Sequence, residues 1–542
     1  MDRANQPGFS LSFSMQSQEV ITTGLPGKAE SCWTATAPKT SYPALPGSRT
    51  AEVVVIGAGI VGITAAHLLT EAGLSVALLE ARRIGRQVTG RSTAKITTQH
   101  SLIYRHLIDN FDLETAQSYA EANQLGMNQI RQWVEELGIA CAFEAKDSYV
   151  YCSDPSRAGD LEAEAEASRK VGLEAVLLDK APLPFSTAGA LRSRNQAQFN
   201  PAQYLIGLAK ATESAGALIF EESRVTGVKE KGGWQLKTGR TSIQAKNVVL
   251  ATNLPIAGPV PYDERTRPRS HIAMAFRVHS RTAIDGMFIG IDQPMHSLRT
   301  GHDQVGPLLI VLGSKFPTGH DGDVAKHFRD LEAWTRRNLE VGEVAWRWVN
   351  EDYDTADRVP FAGALAQAPG LYIATGFNAW GISNGTAAGI LIAQQILGGS
   401  PDWAPVYDPM RKVPRKFNKG GDSRSLVHSL DDIEPGGGAV MNLGRGRIAV
   451  WKGADGIPHA ISASCTHKGC TVTWNNADRT WDCPCHGSVF AIDDSVIHGP
   501  AMEPLSPKKI PPAGFATHEE KCDGNDDRPP QSEGLWPVAS HV

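Results

Sequence analysis

Residues 52–80 read EVVVIGAGIVGITAAHLLTEAGLSVALLE, and this stretch decides the fold of the longest part of the chain. Val53, Val54, Val55 and Ile56 make the short, unbroken apolar run of a strand buried on both faces. Gly57, Gly59 and Gly62 follow at G-x-G-x-x-G spacing and open a helix expected over residues 63–72, closed by Gly73. A second apolar strand, residues 76–79, ends at Glu80. Strand, glycine turn, helix and strand in this order form a dinucleotide-binding βαβ unit. In it Gly57 permits the tight turn, and Gly59 lets backbone N–H groups approach a pyrophosphate at the helix N-terminus. Gly62 lets helix and strand pack closely, and Glu80 stands where an acid binds the adenosine ribose hydroxyls, which argues against a 2′-phosphate. A glycine-rich turn with no ligand is the plainer alternative. The motif alone does not separate FAD from NAD.

The segments around it do. Residues 81–100, ARRIGRQVTGRSTAKITTQH, form a long polar connection where a plain NAD domain returns quickly to helix and strand. Residues 248–253 are a further buried strand ending in a small-residue turn. Residues 371–390, LYIATGFNAWGISNGTAAGI, pair a buried strand with a glycine-rich turn and a helix of small residues. Residues 51–400 resemble the glycine/D-amino-acid oxidase (DAO) family of FAD-dependent oxidoreductases. The resemblance implies an FAD-binding, Rossmann-like α/β domain built from segments 51–110, 200–255 and 354–400, with an antiparallel substrate sheet from the segments between them. It places FAD contacts at Gly57, Gly59, Gly62, Glu80, Arg82, Gly90, Ser92, Thr93, Ala94 and Lys95. It adds Val225, on a strand over residues 224–228 that returns to the adenine, then Ala251, Gly376, Gly381, Ile382 and Gly385. The helix after Gly381 would stabilise negative charge on reduced flavin. Covalent relatives attach flavin through a nearby His or Cys; this segment has only His100, at its far end, so non-covalent FAD is expected.

Between these segments, residues 113–137 read as an amphipathic helix with Leu125, Ile130, Trp133, Val134 and Leu137 in the core. Residues 160–170 read as a solvated acidic helix, and Pro201 as a helix start. Residues 269–348 alternate like strands around one helix, at about 323–339, and are expected to roof the flavin. Arg269, His271, Arg299 and Arg347 are candidates to face a substrate, since an arginine there could grip a carboxylate with two prongs. A structural role is the alternative for each. Trp380 is placed beside the flavin ring, and no catalytic residue is assigned.

Residues 465–490 read CTHKGCTVTWNNADRTWDCPCHGSVF. Cys465, His467, Cys483 and His486 alternate Cys, His, Cys, His, as expected if two loops each give a thiolate to one metal and an imidazole to another. That is the ligand set of a Rieske [2Fe–2S] centre; a structural zinc ribbon is the alternative. The segment resembles the disulfide-bearing Rieske proteins of cytochrome bc complexes. This implies a Cys470–Cys485 clip, a covering proline loop at residues 498–501, and a Ser488 hydroxyl bonded to a cluster sulfur. Phe490 stands where many relatives carry tyrosine, so one hydrogen bond fewer and a lower potential are expected.

The chain has 542 residues, which implies two or three domains. The expected division is a tail and strap (1–50), the flavin domain (51–404), a basic linker (405–422), a small all-β Rieske domain (423–510) and a disordered tail (511–542). A net charge of −5 gives no reason to expect nucleic acid, and no apolar stretch reaches the ~18 residues of a membrane span. Scattered Cys32, Cys141, Cys152 and Cys522, with no secretory signal, point to the cytoplasm.

Flavin handles two electrons and the cluster one at a time. With no second nucleotide fingerprint, the expected activity is an FAD-dependent dehydrogenase acting on a C–N bond of an amino acid or related amine. Electrons would pass through the cluster to an external one-electron partner. The alternatives are a monooxygenase or demethylase-like enzyme with electrons entering through the cluster, and a non-catalytic redox sensor or electron carrier.

Overall fold

The computed structural model describes residues 24–239, 241–278, 284–320, 322–413, 426–443 and 446–510. The expected tail before residue 24, the 414–422 part of the linker and the 511–542 tail lie outside the described residues.

The apolar run after Glu52 becomes the strand Arg49–Ile56, whose Val53, Val54 and Val55 are fully buried. Leu371–Thr375, Thr241–Leu250, Arg49–Ile56, Val76–Leu79 and Leu218–Phe220 lie side by side, all parallel. Helices Ile60–Glu71, Leu113–Glu136, Pro201–Ser214 and Ser383–Ile396 share one apolar core with this sheet. The first helix starts at Ile60 rather than Ile63, because Gly59 is already its N-cap. No strand covers Arg224 or Val225; they lie in an irregular connection, and strand begins at Gly227.

Two expectations about helices need correction. Leu125 and Leu137 are exposed (37% and 39%), because the buried stripe of Leu113–Glu136 runs through Tyr119, Met127, Ile130 and Trp133. The acidic helix Ala158–Lys170 is not wholly solvated, since Glu164 is fully buried. Its carboxylate accepts from Tyr104 N (3.0 Å) and Arg105 N (2.9 Å) and so caps the free amides at the start of helix Ile103–Asn110. Burial pushes its pKa up to about 7.

The second layer is a ten-stranded sheet that covers the open end of the first. Its centre is Thr266–Arg277, antiparallel to both Pro307–Pro317 and Val344–Thr355. Strands Glu144–Cys152 and Gly189–Gln198 extend it, and helix Val324–Asn338 packs on it. The N-terminal strap contributes helix Cys32–Thr36; its Trp33 is buried and donates from Nε1 to Ser92 O at 2.9 Å. The ordered body runs past residue 404: Ala404–Tyr407 is a 3-10 turn, and Arg411 grips Asp357 at 2.9 and 3.0 Å. Two four-stranded sheets follow, one over residues 426–462 and one over residues 473–498, sharing a core around Trp481 and Phe490.

Candidate active site and cluster-binding loops

A cavity of about 860 Å³ lies between the parallel sheet and the roof. Among the expected contacts, Gly57, Gly59, Glu80, Arg82, Ser92, Thr93, Ala94, Lys95, Val225, Ala251, Gly381 and Ile382 line it. Glu80 is buried at the end of its strand and accepts from Ala58 N and Arg82 N, both at 2.9 Å. Burial raises its pKa, while these donors oppose the shift. Lys95 donates to Phe288 O at 2.6 Å and to Ser297 Oγ, and burial holds its pKa well below the ordinary lysine value. Trp380 lines the cavity and stacks on His100, with ring centres 4.7 Å apart. Both His100 nitrogens are engaged, Nδ1 with Tyr119 OH (2.7 Å) and Nε2 with Thr97 O (2.8 Å). Burial lowers its pKa to about 3, so the ring is neutral.

The roof residues follow from register. His271 pairs with Asn350 on one side and Lys315 on the other, and Arg269 pairs with Asp352. Side chains directly opposite share a face of the sheet. All five therefore face the cavity, together with Asp354. Asp354 holds both Arg269 and Lys315 at 3.1 Å.

The cluster loops lie against the same roof. Cys465 and Cys483 are both buried, and their thiols are in direct hydrogen-bond contact. His467 Nδ1 and His486 Nδ1 face each other at 3.2 Å. A Cys470–Cys485 disulfide (S–S 2.05 Å) joins the two loops. Ser488 Oγ accepts from Ala501 N at 3.0 Å and also bonds the Cys465 thiol. Strand Val344–Thr355 lies between the cavity and the His486 loop, and alternation divides its side chains between them. Asn350, Asp352 and Asp354 point into the cavity. On the opposite face, Tyr353 donates from its hydroxyl to His486 O at 2.8 Å. Glu351 meets Arg91 at 3.5 Å, beside Asp478 and Asp482 of the cluster domain. Asp263, from the flavin domain, lies 3.3 Å from His486 Nε2 and also pairs with Lys468. Residues Ile497, His498, Gly499, Ala501 and Met502, in and around the expected covering loop, form part of the cavity wall.

Residues 52–395 match the family described as FAD dependent oxidoreductase (DAO), and residues 423–511 match the Rieske [2Fe-2S] domain. The chain belongs to the FAD dependent oxidoreductase family. This oxidoreductase is similar to the putative Rieske 2Fe-2S iron-sulfur protein YhfW of Bacillus subtilis (strain 168), with 30% identity over 494 residues, 88% of this chain and 97% of that protein. It is also similar to gamma-glutamylputrescine oxidoreductase of Escherichia coli (strain K12), with 24% identity over 390 residues, 69% of this chain and 89% of that protein. Its flavin domain shares the fold of glycine oxidase from Geobacillus kaustophilus (TM-score 0.56, 18% identity, 67% of this chain and 99% of that chain).

The oxidoreductase carries FAD and a Rieske [2Fe–2S] cluster as its cofactors. The site chemistry fits both. A glycine turn opening a helix, with a buried acid at the next strand end, suits a dinucleotide. Two touching thiols opposite two facing imidazoles suit a cluster ligated by sulfur on one iron and nitrogen on the other better than one tetrahedral zinc.

Several expected contacts of the oxidoreductase lie outside the cavity. A Cβ on Gly62 would stand 1.9 Å from Gly57 O, so this glycine serves helix–strand packing, as its place in the motif implies. Gly376, at φ +74, would meet the Thr355 side chain at 2.3 Å, and Gly90 and Gly385 are likewise close-packing positions. Arg299 does not face a substrate; it donates to Thr93 O, Ala94 O and Phe199 O at 2.9–3.1 Å and lies over Trp33, bracing the flavin-side loop. Arg347 reaches Ala477 O at 3.4 Å, across the domain interface. Sequence alone gives Lys315, Asn350 and Asp352 no site role, and Asp354 only as the start of the 354–400 segment. Only the pairing register brings them to the cavity, and no local motif signals it. No helix among the described residues is long and apolar enough to cross a membrane.

Proposed function

We propose that this oxidoreductase is a dehydrogenase for the C–N bond of an amine or amino acid, with electrons leaving singly through the Rieske cluster to an external acceptor. The observation that supports this most is the shared strand Val344–Thr355, which lines the flavin cavity on one face and holds the His486 loop through Tyr353 on the other. Bound FAD supplies two-electron oxidation of the C–N bond, and the cluster supplies one-electron steps. The chain's own part is to bind, orient and exclude water. The Gly57–Gly59 turn and the N-terminus of Ile60–Glu71 would hold the pyrophosphate, and Glu80 the ribose. Ser92, Thr93 and Ala94, braced by Arg299, would hold the flavin side. Cys465 and Cys483 would take one iron, and His467 and His486 the other. Residues around Gly499 close one wall, so the cluster domain itself helps keep water from the cavity. Burial lowers the His271 pKa to about 4, leaving a neutral ring on the cavity roof.

Anaerobic titration with amines, N-methyl amines and D- and L-amino acids tests the proposal. Flavin bleaching followed by the EPR signal of a reduced Rieske cluster is expected. No bleaching by any of them, with ready reduction of the cluster by a ferredoxin or a reductase, would overturn it in favour of inward electron flow.

A further inference from the structure

The roof of the cavity holds buried polar atoms that the chain leaves without partners. Asp352 accepts from Ala379 N with Oδ2, but its Oδ1 has no hydrogen-bond partner. Asn350 Oδ1 and His271 Nδ1, on the same face, have none either. All three residues are at least 95% buried and line the cavity. An unmade bond at a buried acceptor is costly, most of all at a charged one, so such atoms mark the place of a ligand. Two of the three are obligate acceptors, and the carboxylate is anionic. They call for a ligand that donates several N–H groups and carries positive charge. The oxidised isoalloxazine ring offers a single N–H, so the ring by itself cannot satisfy them.

The basic groups of the roof point the same way. A substrate carboxylate would have to compete with Asp354, which already pairs with Arg269 Nε and Lys315 Nζ at 3.1 Å, while Lys95, also on the cavity wall, is engaged with Phe288 O and Ser297 Oγ. Arg299 and Arg347 do not reach the cavity. Beyond the polar patch, Ile289, Ile291, Met295 and Leu312 offer an apolar wall that suits an alkyl chain.

We infer that Asp352 and Asn350 form the amine-recognition subsite, and that the substrate is an aliphatic amine with no carboxylate on the reacting carbon rather than an α-amino acid. This rests on the C–N oxidation proposed above and narrows it to one substrate class. Asp352 binds the ammonium by a charge-assisted hydrogen bond, Asn350 accepts a second N–H, and the alkyl chain lies along the apolar wall.

The test is a binding measurement on the holoenzyme, read as perturbation of the oxidised flavin spectrum by n-butylamine, butyrate and D- and L-2-aminobutyrate. Wild type should bind butylamine in preference to butyrate and aminobutyrate. Asp352→Asn, with unchanged FAD and cluster content, should weaken butylamine about 10- to 100-fold and leave butyrate no weaker. Asn350→Ala should weaken butylamine about 3- to 10-fold and keeps the test available if the first variant fails to fold. Unchanged butylamine affinity in both variants, or tighter binding of butyrate or aminobutyrate than of butylamine by wild type, overturns the subsite. Butylamine binding that depends on Asp352, with no amine ever reducing the flavin, upholds the subsite and overturns the oxidation reading instead.

Discussion

Replacing Arg91 by Gln should loosen the cluster domain from the flavin domain in a pH-dependent way. Arg91 is the cation shared by Glu351 at 3.5 Å, Asp478 at 3.9 Å and the nearby Asp482. At an effective dielectric of about 20, a charge pair at 3.5 Å is worth about 5 kcal/mol. Relaxation and proton uptake recover part of this, and a loss of about 3 kcal/mol is expected, the low end for breaking a buried pair. Burial raises the pKa of Glu351 to about 7 and that of Asp482 to about 6, with Arg91 opposing both shifts. Because these folded-state values lie above the ordinary carboxylate range, proton uptake favours the packed state as pH falls. At pH 8 both acids are ionised and the variant leaves them uncompensated; near pH 6 proton uptake removes most of the penalty. The assay is the urea midpoint for losing the cluster's visible circular dichroism. With a slope of about 2 kcal/mol/M, Arg91→Gln should lower the midpoint by about 1.5 M at pH 8 and by less than half of that at pH 6. An equal loss at both values, or none at pH 8, would refute the reasoning.

Two other outcomes follow from the cofactor sites and one from the roof. Gly62→Ala must force Gly57 O away from a Cβ that would stand 1.9 Å from it, so purified protein should retain less than about a tenth of its FAD by absorbance while keeping the Rieske EPR signal. His486→Ala or Cys465→Ser should abolish acid-labile sulfide and the EPR signal with the flavin spectrum intact; full iron and sulfide content would remove the ligand assignment. Burial raises the pKa of Asp352 to about 6. Butylamine affinity should therefore fall as pH drops through about 6, where the carboxylate takes a proton, and this dependence should vanish in Asp352→Asn.

Much of the architecture was legible because it is written in local patterns. The apolar run at Val53–Val55, the glycine spacing and the alternating Cys/His ligands each announce an element within about thirty residues of chain, and the Cys470–Cys485 clip formed as the Rieske resemblance implied. The roof was legible only as a sheet. Which side chains it presents depends on the register of Val344–Thr355 against Thr266–Arg277, which joins positions about eighty residues apart. Sequence alone leaves Arg299 and Arg347 open between a substrate-facing and a structural role, and the structure gives them structural ones: one braces the flavin loop and the other meets Ala477. Gly90, Gly376 and Gly385 show another limit of motif reading: a glycine in a cofactor motif can serve close packing one layer behind the cavity. Asp352 gave no local signal, and its neighbour Tyr353 reads as core until the second domain is in place.

The most direct test of the account is the path of electrons inside one molecule. The flavin of the holoenzyme can be photoreduced anaerobically by a short flash, and the cluster followed by absorbance and freeze-quench EPR at several protein concentrations. The reduced Rieske signal should grow as the reduced flavin decays, at a rate independent of protein concentration. A cluster that stays oxidised beside reduced flavin, or a rate proportional to concentration, would contradict it.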